Sequence, residues 1–344
     1  MKYELLGKSG LRVSEVCLGA MTFGEERSWG TPKAESRRIF DAFIAAGGNF
    51  IDTANYYAKG TSERYLGEFI KAARDQFVLS TKYSASTDPT DLNAGGNQRK
   101  NMVRAVEASL KRLNTDYIDL YWLHAWDGIT PTEEVMRAFD DLVRAGKVLY
   151  IGISDTPAWV VSEANMLAEM RGWTRFVGLQ IPYSLIERTV ERDLLPMAQA
   201  GNLAVTCWGA LGAGVLTGKY SGMAGEASHN RGELGNDRFT KRNIQIADEV
   251  VSIAKELDRS PSQIALAWVR QQPYQRLIPI LGARTLPQLE DNLGYLKCAL
   301  NAEHLERLDQ VSNIEKGFPY SLLESGRLRK NNILANRLDE LDKI

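Results

Sequence analysis

Four ionisable side chains of complementary chemistry lie at or just after the ends of short apolar segments. Asp52 ends the second such segment, and Tyr57 follows it by five residues. Lys82 comes at the end of the third segment, and His124 at the end of the fourth. Each has an ordinary explanation when taken alone: a helix cap, a packing aromatic, a solvated charge or a structural histidine. Their repeated placement at segment ends favours a common site.

These four side chains suit the reduction of a carbonyl group, in which carbon receives a hydride and oxygen receives a proton. A phenol such as Tyr57 can supply the proton, but its ordinary pKa of about 10 makes it a weak acid. The ammonium of Lys82 would stabilise the phenolate and lower that pKa. Asp52 would keep the ammonium charged and in place, and His124 would bind and orient the substrate oxygen. We therefore predict that Tyr57 is a proton donor.

Strands must alternate with helices to bring such distant residues together. Short, mostly apolar segments typical of buried parallel strands occur at 16–18, 49–52, 77–81, 118–123, 148–153, 176–180, 203–207 and 277–280. Amphipathic segments that predict helices occur at 33–46, 99–113, 132–145, 157–171, 244–257 and 286–294. Eight strand–helix repeats predict an α/β fold, a (β/α)8 TIM barrel. A doubly wound sheet with fewer strands is the alternative.

Local signals mark where several helices begin and end. A hydroxyl residue precedes proline at Thr31-Pro32, Thr130-Pro131, Thr156-Pro157 and Ser260-Pro261. Each pair predicts an N-cap followed by proline at the first helical position, and the last pair adds a helix to those above. Gly47-Gly48 and Gly146 are expected to end helices.

In such a barrel the carboxyl ends of all strands meet at one mouth, where the four ionisable residues would converge.

No linker rich in proline, glycine or serine divides the chain, so we predict a single domain over 1–344. We expect 84–97 and 218–242 to be long loops at this mouth, the second of them mobile. Residues 315–344 form a C-terminal tail that either crosses the mouth or mediates contacts.

The composition argues against several other classes of protein. The 344 residues are 44% hydrophobic and 25% charged, with a net charge of −1, so no strong field favours nucleic acid or an anionic membrane. The N-terminus lacks a signal-peptide core, and no apolar stretch reaches about 18 residues, which predicts a cytoplasmic protein. Three dispersed cysteines and three histidines without an HExxH motif predict neither disulfides nor a metal site. An oligomer is compatible with this composition but is not indicated by it.

Three segments around the ionisable residues resemble the aldo-keto reductase family: GGNFIDTANYYAKGTSERYLG at 47–67, STK at 80–82 and DYIDLYWLH at 116–124. The resemblance covers about residues 1–300 and implies that a β-hairpin in LGKSGLRVSEVCLGAMTFG closes the barrel bottom. It also implies that the four ionisable residues are the family's catalytic tetrad. The segment KVLYIGISDTPAWVV most resembles the aryl-alcohol dehydrogenase-like branch, with some similarity to potassium-channel β-subunits.

The same resemblance implies an extended nicotinamide dinucleotide across the mouth, although no Rossmann or P-loop motif occurs. The residues implied to contact it are Ala20, Met21, Asp52, Ser154, Asp155, Gln180, Trp208, Gly209, Ala210, Leu211, Gly212, Gly214, Lys219, Gly282, Arg284, Gln288, Asp291 and Asn292. Trp208 is expected to stack on the nicotinamide, and 209–219 to hold the pyrophosphate. Asp155 stands where the family often has asparagine, and a carboxylate accepts but cannot donate a hydrogen bond.

Arg284 is the candidate to meet a 2′-phosphate through charge-assisted hydrogen bonds, which favours NADP(H) over NAD(H). Trp29, Tyr56 and Trp126 are expected to line the substrate pocket. An aromatic wall suits a small-molecule partner such as an aryl aldehyde, a bulky ketone or an aryl alcohol.

Two other functions remain open at this point. One is a regulatory subunit that binds NADP(H) and acts through a channel-like partner. His124 speaks against it, because the channel-associated relatives share an asparagine there. The other is a non-redox barrel enzyme in which Lys82 forms a Schiff base. Asp52 speaks against it, because a nucleophilic lysine must be neutral.

Overall fold

In the computed structural model, which describes residues 1–220, 238–274, 276–324 and 337, eight parallel strands close into a barrel. An antiparallel hairpin of β1 (Tyr3–Leu5) and β2 (Arg12–Ser14) precedes it. The barrel strands are β3 (Cys17–Gly19), β4 (Phe50–Asp52), β5 (Val78–Tyr83), β6 (Ile118–Leu123), β7 (Val148–Ser154), β8 (Phe176–Pro182), β9 (Ala204–Trp208) and β10 (Leu277–Gly282). Strand β10 pairs with both β3 and β9 and so closes the ring. The predicted (β/α)8 barrel is confirmed, and the eight apolar segments are its strands.

Helices surround the barrel and cover its outer face. Those of the described chain are α1 (Lys33–Ala45), α2 (Thr61–Ile70), α3 (Arg99–Leu113), α4 (Thr132–Arg144), α5 (Ala158–Arg171), α6 (Leu194–Ala200), α7 (Lys241–Glu256), α8 (Pro261–Arg270), α9 (Leu286–Leu293), α10 (Ala302–Ser312) and α11 (Tyr320–Glu324). The sequence did not predict α2, α6, α10 and α11. Pro196 lies in α6, and proline is atypical of a helix interior. It is tolerated here because it lies in the first turn, whose N–H groups need no helical partner.

Successive side chains of a strand point alternately into the barrel interior and toward the surrounding helices, and so form two hydrophobic cores. Phe50 and Val78 pack inside the barrel, whereas Ile51 and Leu79 pack between the sheet and the helices. Because the side chains of a strand alternate with a period of two, the following residues return to the interior face. These interior side chains nearer the mouth are Asp52, Ser80 and Lys82.

Three of the four predicted N-caps are wrong by one residue, although α1 and α4 begin at Lys33 and Thr132 as the helical patterns predicted. Pro32, Pro131 and Pro157 are themselves the N-cap residues of α1, α4 and α5, and no side chain caps these helices. The preceding threonines donate elsewhere: Thr130 Oγ1, for example, donates to Asp127 Oδ2 over 2.7 Å. Only Ser260 caps as predicted, accepting from Gln263 N over 3.2 Å.

The predicted helix ends agree with the structure. Gly47 and Gly146 lie just beyond α1 and α4 with φ of 90° and 72°, in the left-handed region that favours glycine. The amide of Gly48 then donates to Phe43 O over 3.0 Å, and this bond satisfies a carbonyl of the last helical turn.

Parts of two predicted segments lie outside the described residues. Of the loop predicted at 218–242, the structure describes 218–220 and 238–242, and of the tail at 315–344 it describes 315–324 and 337. The loop at 84–97 is described in full between β5 and α3. None of the helices in the described ranges has the length and apolar character needed to cross a membrane.

The hairpin closes the barrel at the end opposite the mouth, as the resemblance implied. Leu6 and Val13 are fully buried in the interior cluster beside Phe50 and Ala204, which begin their strands. Gly7 has a φ of 56°, and a Cβ atom there would lie 2.0 Å from the carbonyl oxygen of Val177. Only glycine fits this turn, because it meets both a left-handed backbone and a close approach.

Gly7→Ala should therefore destabilise the fold, while Gly10→Ala in the same turn should not. A Cβ atom at Gly10 meets nothing within 4 Å. We expect Gly7→Ala to lower the free energy of unfolding by about 1–3 kcal/mol and Gly10→Ala to change it by less than about 0.5 kcal/mol. Urea unfolding followed by circular dichroism measures both. Equal stability of the two variants would contradict the close packing of the hairpin against the barrel.

Candidate active site

The ammonium of Lys82 is the centre of the cluster that the structure forms at the barrel mouth. Lys82 is fully buried, and its Nζ atom has three hydrogen-bond acceptors. It donates to the Asp52 carboxylate, to Thr53 O over 2.7 Å and to Tyr57 Oη over 3.4 Å. An ammonium has three donors, so every N–H has an acceptor.

A second set of contacts fixes the carboxylate of Asp52. Ser80 Oγ donates to Asp52 Oδ1 over 2.6 Å, and Gln180 Nε2 lies 3.4 Å from the same oxygen. The pairing of β4 with β5 sets Asp52 opposite Ser80. Sequence reasoning missed the roles of Ser80 and Thr53, although the interior position of Ser80, two residues before Lys82, is a signal for the first.

The electrostatics hold Lys82 in its charged form. Burial by itself lowers the pKa of Lys82, but the charge of Asp52 and the hydrogen bonds with Asp52 and Tyr57 outweigh it, so the pKa lies above its ordinary value. A neutral, nucleophilic lysine is therefore unfavourable here, which counts against a Schiff base.

Burial raises the pKa of the Tyr57 phenol to about 12, because the desolvation of the phenolate outweighs the attraction of Lys82. The sequence predicted a pKa below the ordinary value of about 10. Lys82 does lower the pKa of Tyr57, as predicted, but the predicted net pKa was wrong. The sequence did not reveal how completely the phenol is withdrawn from water. Tyr57 is thus a protonated phenol at neutral pH.

His124 lies beside Tyr57 as a neutral imidazole. Their ring centroids are 5.8 Å apart, with planes at 79°. Burial, reinforced by the charge of Lys82, lowers the pKa of His124 to about 3. Its Nδ1 atom is buried with no hydrogen-bond partner among the described residues. Its backbone N–H donates to Ser84 Oγ over 3.1 Å, a contact that sequence reasoning did not anticipate.

Three non-glycine residues with a left-handed backbone lie next to these side chains. Ala58 and Lys59 follow Tyr57 with φ of 46° and 49°, and Ser84 has a φ of 102°. Side-chain-bearing residues adopt such angles only when the surrounding structure imposes them, and they cluster at functional sites. Tyr57 begins the turn Tyr57–Gly60 and is buried, with only 8% of its surface exposed.

Aromatic side chains form one side of the mouth. Tyr56 packs against Tyr57 and His124, with centroids 5.1 and 5.3 Å apart. Trp29 is half-buried, and among the described residues it makes no ring contact with these three; the guanidinium of Arg27 lies over its ring. Trp126 packs edge-on against Trp159, a residue that the sequence prediction did not include.

The residues predicted at the nicotinamide end lie at the mouth beside Asp52. Ser154 is buried beside the carboxylate of Asp155. Asp155 has a φ of 43° and accepts a hydrogen bond from the indole of Trp208 over 3.1 Å. Its carboxylate therefore orients Trp208. On the opposite side, Ala20 is buried and Met21 is 40% exposed at the end of β3.

The glycine-rich segment after β9 curls into a short 3-10 turn at Gly212–Thr217. Gly209, Gly212 and Gly214 all have left-handed φ, and a Cβ atom at Gly209 would meet nothing within 4 Å. Ala210 is buried, Leu211 is half-buried and Lys219 is exposed. The adjoining cleft is lined by Pro182, Ser184, Ile186, Glu187, Trp208, Gly209, Gly212, Arg238 and Asn243. Sequence reasoning did not name Arg238, which places a cation beside this segment.

The turn between β10 and α9 positions Arg284 at the rim. Its backbone N–H donates to Gln288 Oε1 over 2.9 Å, and its carbonyl accepts from Thr31 Oγ1 over 3.4 Å. The side chain is exposed and has no ion pair among the described residues. A Cβ atom at Gly282 would meet only open space.

Two more predicted residues of this region lie on α9, and the first already has hydrogen-bond partners. Asp291 accepts from Ser260 Oγ over 2.9 Å and from Gln263 Nε2 over 3.0 Å. Asn292 is buried. The structure thus brings the tetrad together and sets the other predicted residues around the rim from β3 to α9.

Comparison with known proteins agrees with this geometry. The profile of the Aldo/keto reductase family matches residues 15–313. Norsolorinic acid reductase B of Dothistroma septosporum is 37% identical over 336 residues, which cover 94% of this chain and 84% of that protein. Aryl-alcohol dehydrogenase [NADP(+)] of Phanerodontia chrysosporium is 39% identical over 347 residues, covering 94% and 89%. Aldo-keto reductase ausK of Emericella nidulans is 35% identical over 338 residues, covering 93% and 84%.

These matches extend over nearly the whole chain and include the strands that carry Asp52, Lys82 and His124. The resemblance first read from three short segments is thereby confirmed. The chain is an oxidoreductase that belongs to the Aldo/keto reductase family.

Proposed function

We propose that this protein transfers a hydride between NADP(H) and a carbonyl or alcohol substrate, with aryl aldehydes, bulky ketones or aryl alcohols as the substrate class. The observation that carries the proposal is the contact of Tyr57 with a buried, fully paired ammonium. The hydroxyl of Tyr57 lies 3.4 Å from Lys82 Nζ, at a mouth lined by aromatic side chains.

In this mechanism the reduced nicotinamide supplies a hydride to the carbonyl carbon. Tyr57 donates its proton to the carbonyl oxygen, because the developing alkoxide is a stronger base than a phenolate. Lys82 stabilises the phenolate that remains, and Asp52 balances the charge of Lys82. His124 is neutral, so one ring N–H is free to orient the substrate oxygen. Because its pKa is raised, Tyr57 carries at neutral pH the proton that reduction consumes.

The described residues fit a nicotinamide dinucleotide. Ser154 offers a buried hydroxyl for the carboxamide, beside Gln180 on the next strand. Trp208 offers an indole fixed by Asp155. Arg238 and the backbone of the segment after β9 would meet the pyrophosphate.

Arg284 supports NADP(H) over NAD(H). Its guanidinium is free of ion pairs within the described residues, and its backbone is tied on both sides. Such an arginine suits a 2′-phosphate through paired, charge-assisted hydrogen bonds. The relative named aryl-alcohol dehydrogenase [NADP(+)] points the same way.

The aromatic wall supports the substrate class. Tyr56 lies against both Tyr57 and His124, so a flat ring attached to the reacting carbonyl would find an aromatic surface. Relatives named for an aryl alcohol and for norsolorinic acid support the same class.

Tyr57→Phe should abolish most turnover while leaving cofactor binding intact. Loss of a general acid typically costs about 10²–10⁴ in rate, and the ring packing of Tyr57 is retained. The measurements are oxidation of NADPH with benzaldehyde, followed by absorbance, and the Kd for NADPH from tryptophan quenching. Sustained multiple turnover by the wild type also separates an enzyme from a regulatory subunit.

The adjacent variant Tyr56→Phe decides which hydroxyl donates. If Tyr56→Phe lost turnover and Tyr57→Phe kept it, the donor role would pass to Tyr56. Loss of NADPH binding in Tyr57→Phe would instead mean that the tyrosine supports the cofactor site.

His124→Asn should make stability less dependent on pH. The unfolded chain protonates its histidine below about pH 6.5, whereas the folded state keeps His124 neutral down to about pH 3. Stability therefore falls as pH drops through this window, and at pH 5 this residue accounts for up to about 2 kcal/mol of the fall. Urea unfolding at pH 7 and pH 5 measures the difference. The same fall in both proteins would show that His124 is not held neutral.

Arg284→Met should weaken NADPH binding without affecting NADH. A charge-assisted contact contributes about 1.5–3 kcal/mol, so the Kd for NADPH should rise about tenfold or more. Arg12→Met, which removes an exposed cation at the barrel bottom, is the matched control. Fluorescence titrations with both cofactors provide the measurement. A parallel loss for NADPH and NADH would reject the 2′-phosphate contact.

A further inference from the structure

The turn from Thr22 to Thr31, which follows β3, is held by hydrogen bonds and places Arg27 at the aromatic side of the mouth. Gly24 N donates to Thr31 O over 3.0 Å, and Thr31 N donates to Thr22 O over 2.7 Å, so the two ends of the turn are joined. Inside it, Gly30 N donates to Arg27 O over 2.9 Å. These bonds define the position of Arg27, which is half-buried.

The guanidinium of Arg27 lies over two aromatic rings. Its Cζ atom is 4.9 Å from the centroid of Trp29 and 6.0 Å from that of Tyr56. Contact with ring faces stabilises the cation in this position. The N–H donors of a guanidinium lie in its plane, so stacking against rings does not use them.

No carboxylate pairs with this cation among the residues that the structure describes. The two acidic residues that precede it in sequence are Glu25 and Glu26. Glu26 accepts a hydrogen bond from Thr61 Oγ1 on α2 instead. Within the described ranges, Arg27 therefore presents a positive charge without an ion pair at the aromatic side of the mouth.

One aromatic ring connects this charge to the reacting groups. The ring of Tyr56 that Arg27 covers also contacts Tyr57 and His124, at 5.1 and 5.3 Å between centroids. An aryl carbonyl whose oxygen meets Tyr57 and His124 would lie along Tyr56. Its far edge would then point toward Arg27.

We propose that Arg27 forms an anion subsite that selects aryl carbonyl substrates carrying a carboxylate or an ionised phenol on the ring, remote from the reacting carbonyl. A carboxylate in the guanidinium plane can accept two parallel hydrogen bonds, and the half-buried setting reduces competition from water. This inference rests on the proposed function and names the substrate feature that the same site recognises.

The test compares a charged substrate with a neutral one of similar shape. Wild type, Arg27→Met and Arg27→Lys are assayed with the 3- and 4-carboxybenzaldehydes and with their methyl esters, using NADPH. We expect wild type to prefer at least one acid over its ester in kcat/KM. Arg27→Met should lower kcat/KM for that acid at least tenfold, about 1.4 kcal/mol, while changing the ester less than threefold. Arg27→Lys should recover part of the preference, because it keeps the charge but not the paired donors.

Two further measurements separate a subsite from a purely structural role. Raising the ionic strength should reduce the preference of wild type for the acid and leave the ester unaffected. Arg12→Met, at the other end of the barrel, should retain the wild-type preference. An equal loss for acid and ester in Arg27→Met would overturn the subsite, because Arg27 would then only hold the aromatic wall together. No preference in wild type for either acid would overturn it as well.

A binding measurement keeps this test apart from that of the proposed function. The Kd values of 4-(hydroxymethyl)benzoate and of its methyl ester are measured calorimetrically on the NADP+ complexes of wild type and Arg27→Met. Tighter binding of the acid by wild type alone supports the subsite even if no aldehyde turns over. Turnover of the esters without any selective binding of the acid rejects the subsite and leaves the proposed function standing.

Discussion

An ammonium buried in the barrel mouth is the constraint on which the rest of the site depends. Withdrawing such a charge from water costs several kcal/mol unless every proton finds an acceptor. The carboxylate of Asp52, the carbonyl of Thr53 and the hydroxyl of Tyr57 meet this demand at Lys82. These acceptors come from β4 and the segment that follows it, whereas the ammonium comes from β5, so the pairing of β4 with β5 is itself a condition for burying the charge.

The same withdrawal from water raises the pKa of Tyr57 and lowers the pKa of His124. It opposes the phenolate of Tyr57 and the imidazolium of His124, and the charge of Lys82 also opposes the latter. Both side chains are therefore neutral donors beside a fixed positive charge. A site of this kind is arranged in advance for a negative charge that develops on the substrate, which is how preorganised electrostatics lower a barrier.

The proposed substrate and cofactor contacts around Lys82 come from separate turns after the barrel strands. The turn from 22 to 31 carries Arg27, and its Thr22 and Thr31 hydroxyls bond to the carbonyls of Ala283 and Arg284 in the turn after β10. The proposed substrate wall and the proposed cofactor edge are thus held against each other next to the pairing of β3 with β10. Because these turns lie outside the strand ladder, their side chains can vary between relatives without disturbing the charge pair below.

The chain order of apolar and amphipathic segments was enough to predict the barrel, because strand and helix periods are local properties of a sequence. Motif spacing likewise singled out Asp52, Tyr57, Lys82 and His124. Three N-caps were assigned one residue too early, since a threonine hydroxyl that finds another acceptor cannot be told from a cap by sequence. The roles of Ser80 and Ser84 were invisible for a related reason: each depends on which strand or loop lies alongside.

The pKa values of the site also belonged to the tertiary structure alone. The sequence predicted that Lys82 would lower the pKa of Tyr57, and that effect is present, but the extent of burial reverses the outcome. Burial depends on everything that packs around a side chain, so no local pattern encodes it. The sequence by itself thus determined which groups are available for chemistry. Only the folded barrel decided their charge states, and only it set the charge of Arg27 one aromatic ring away from them.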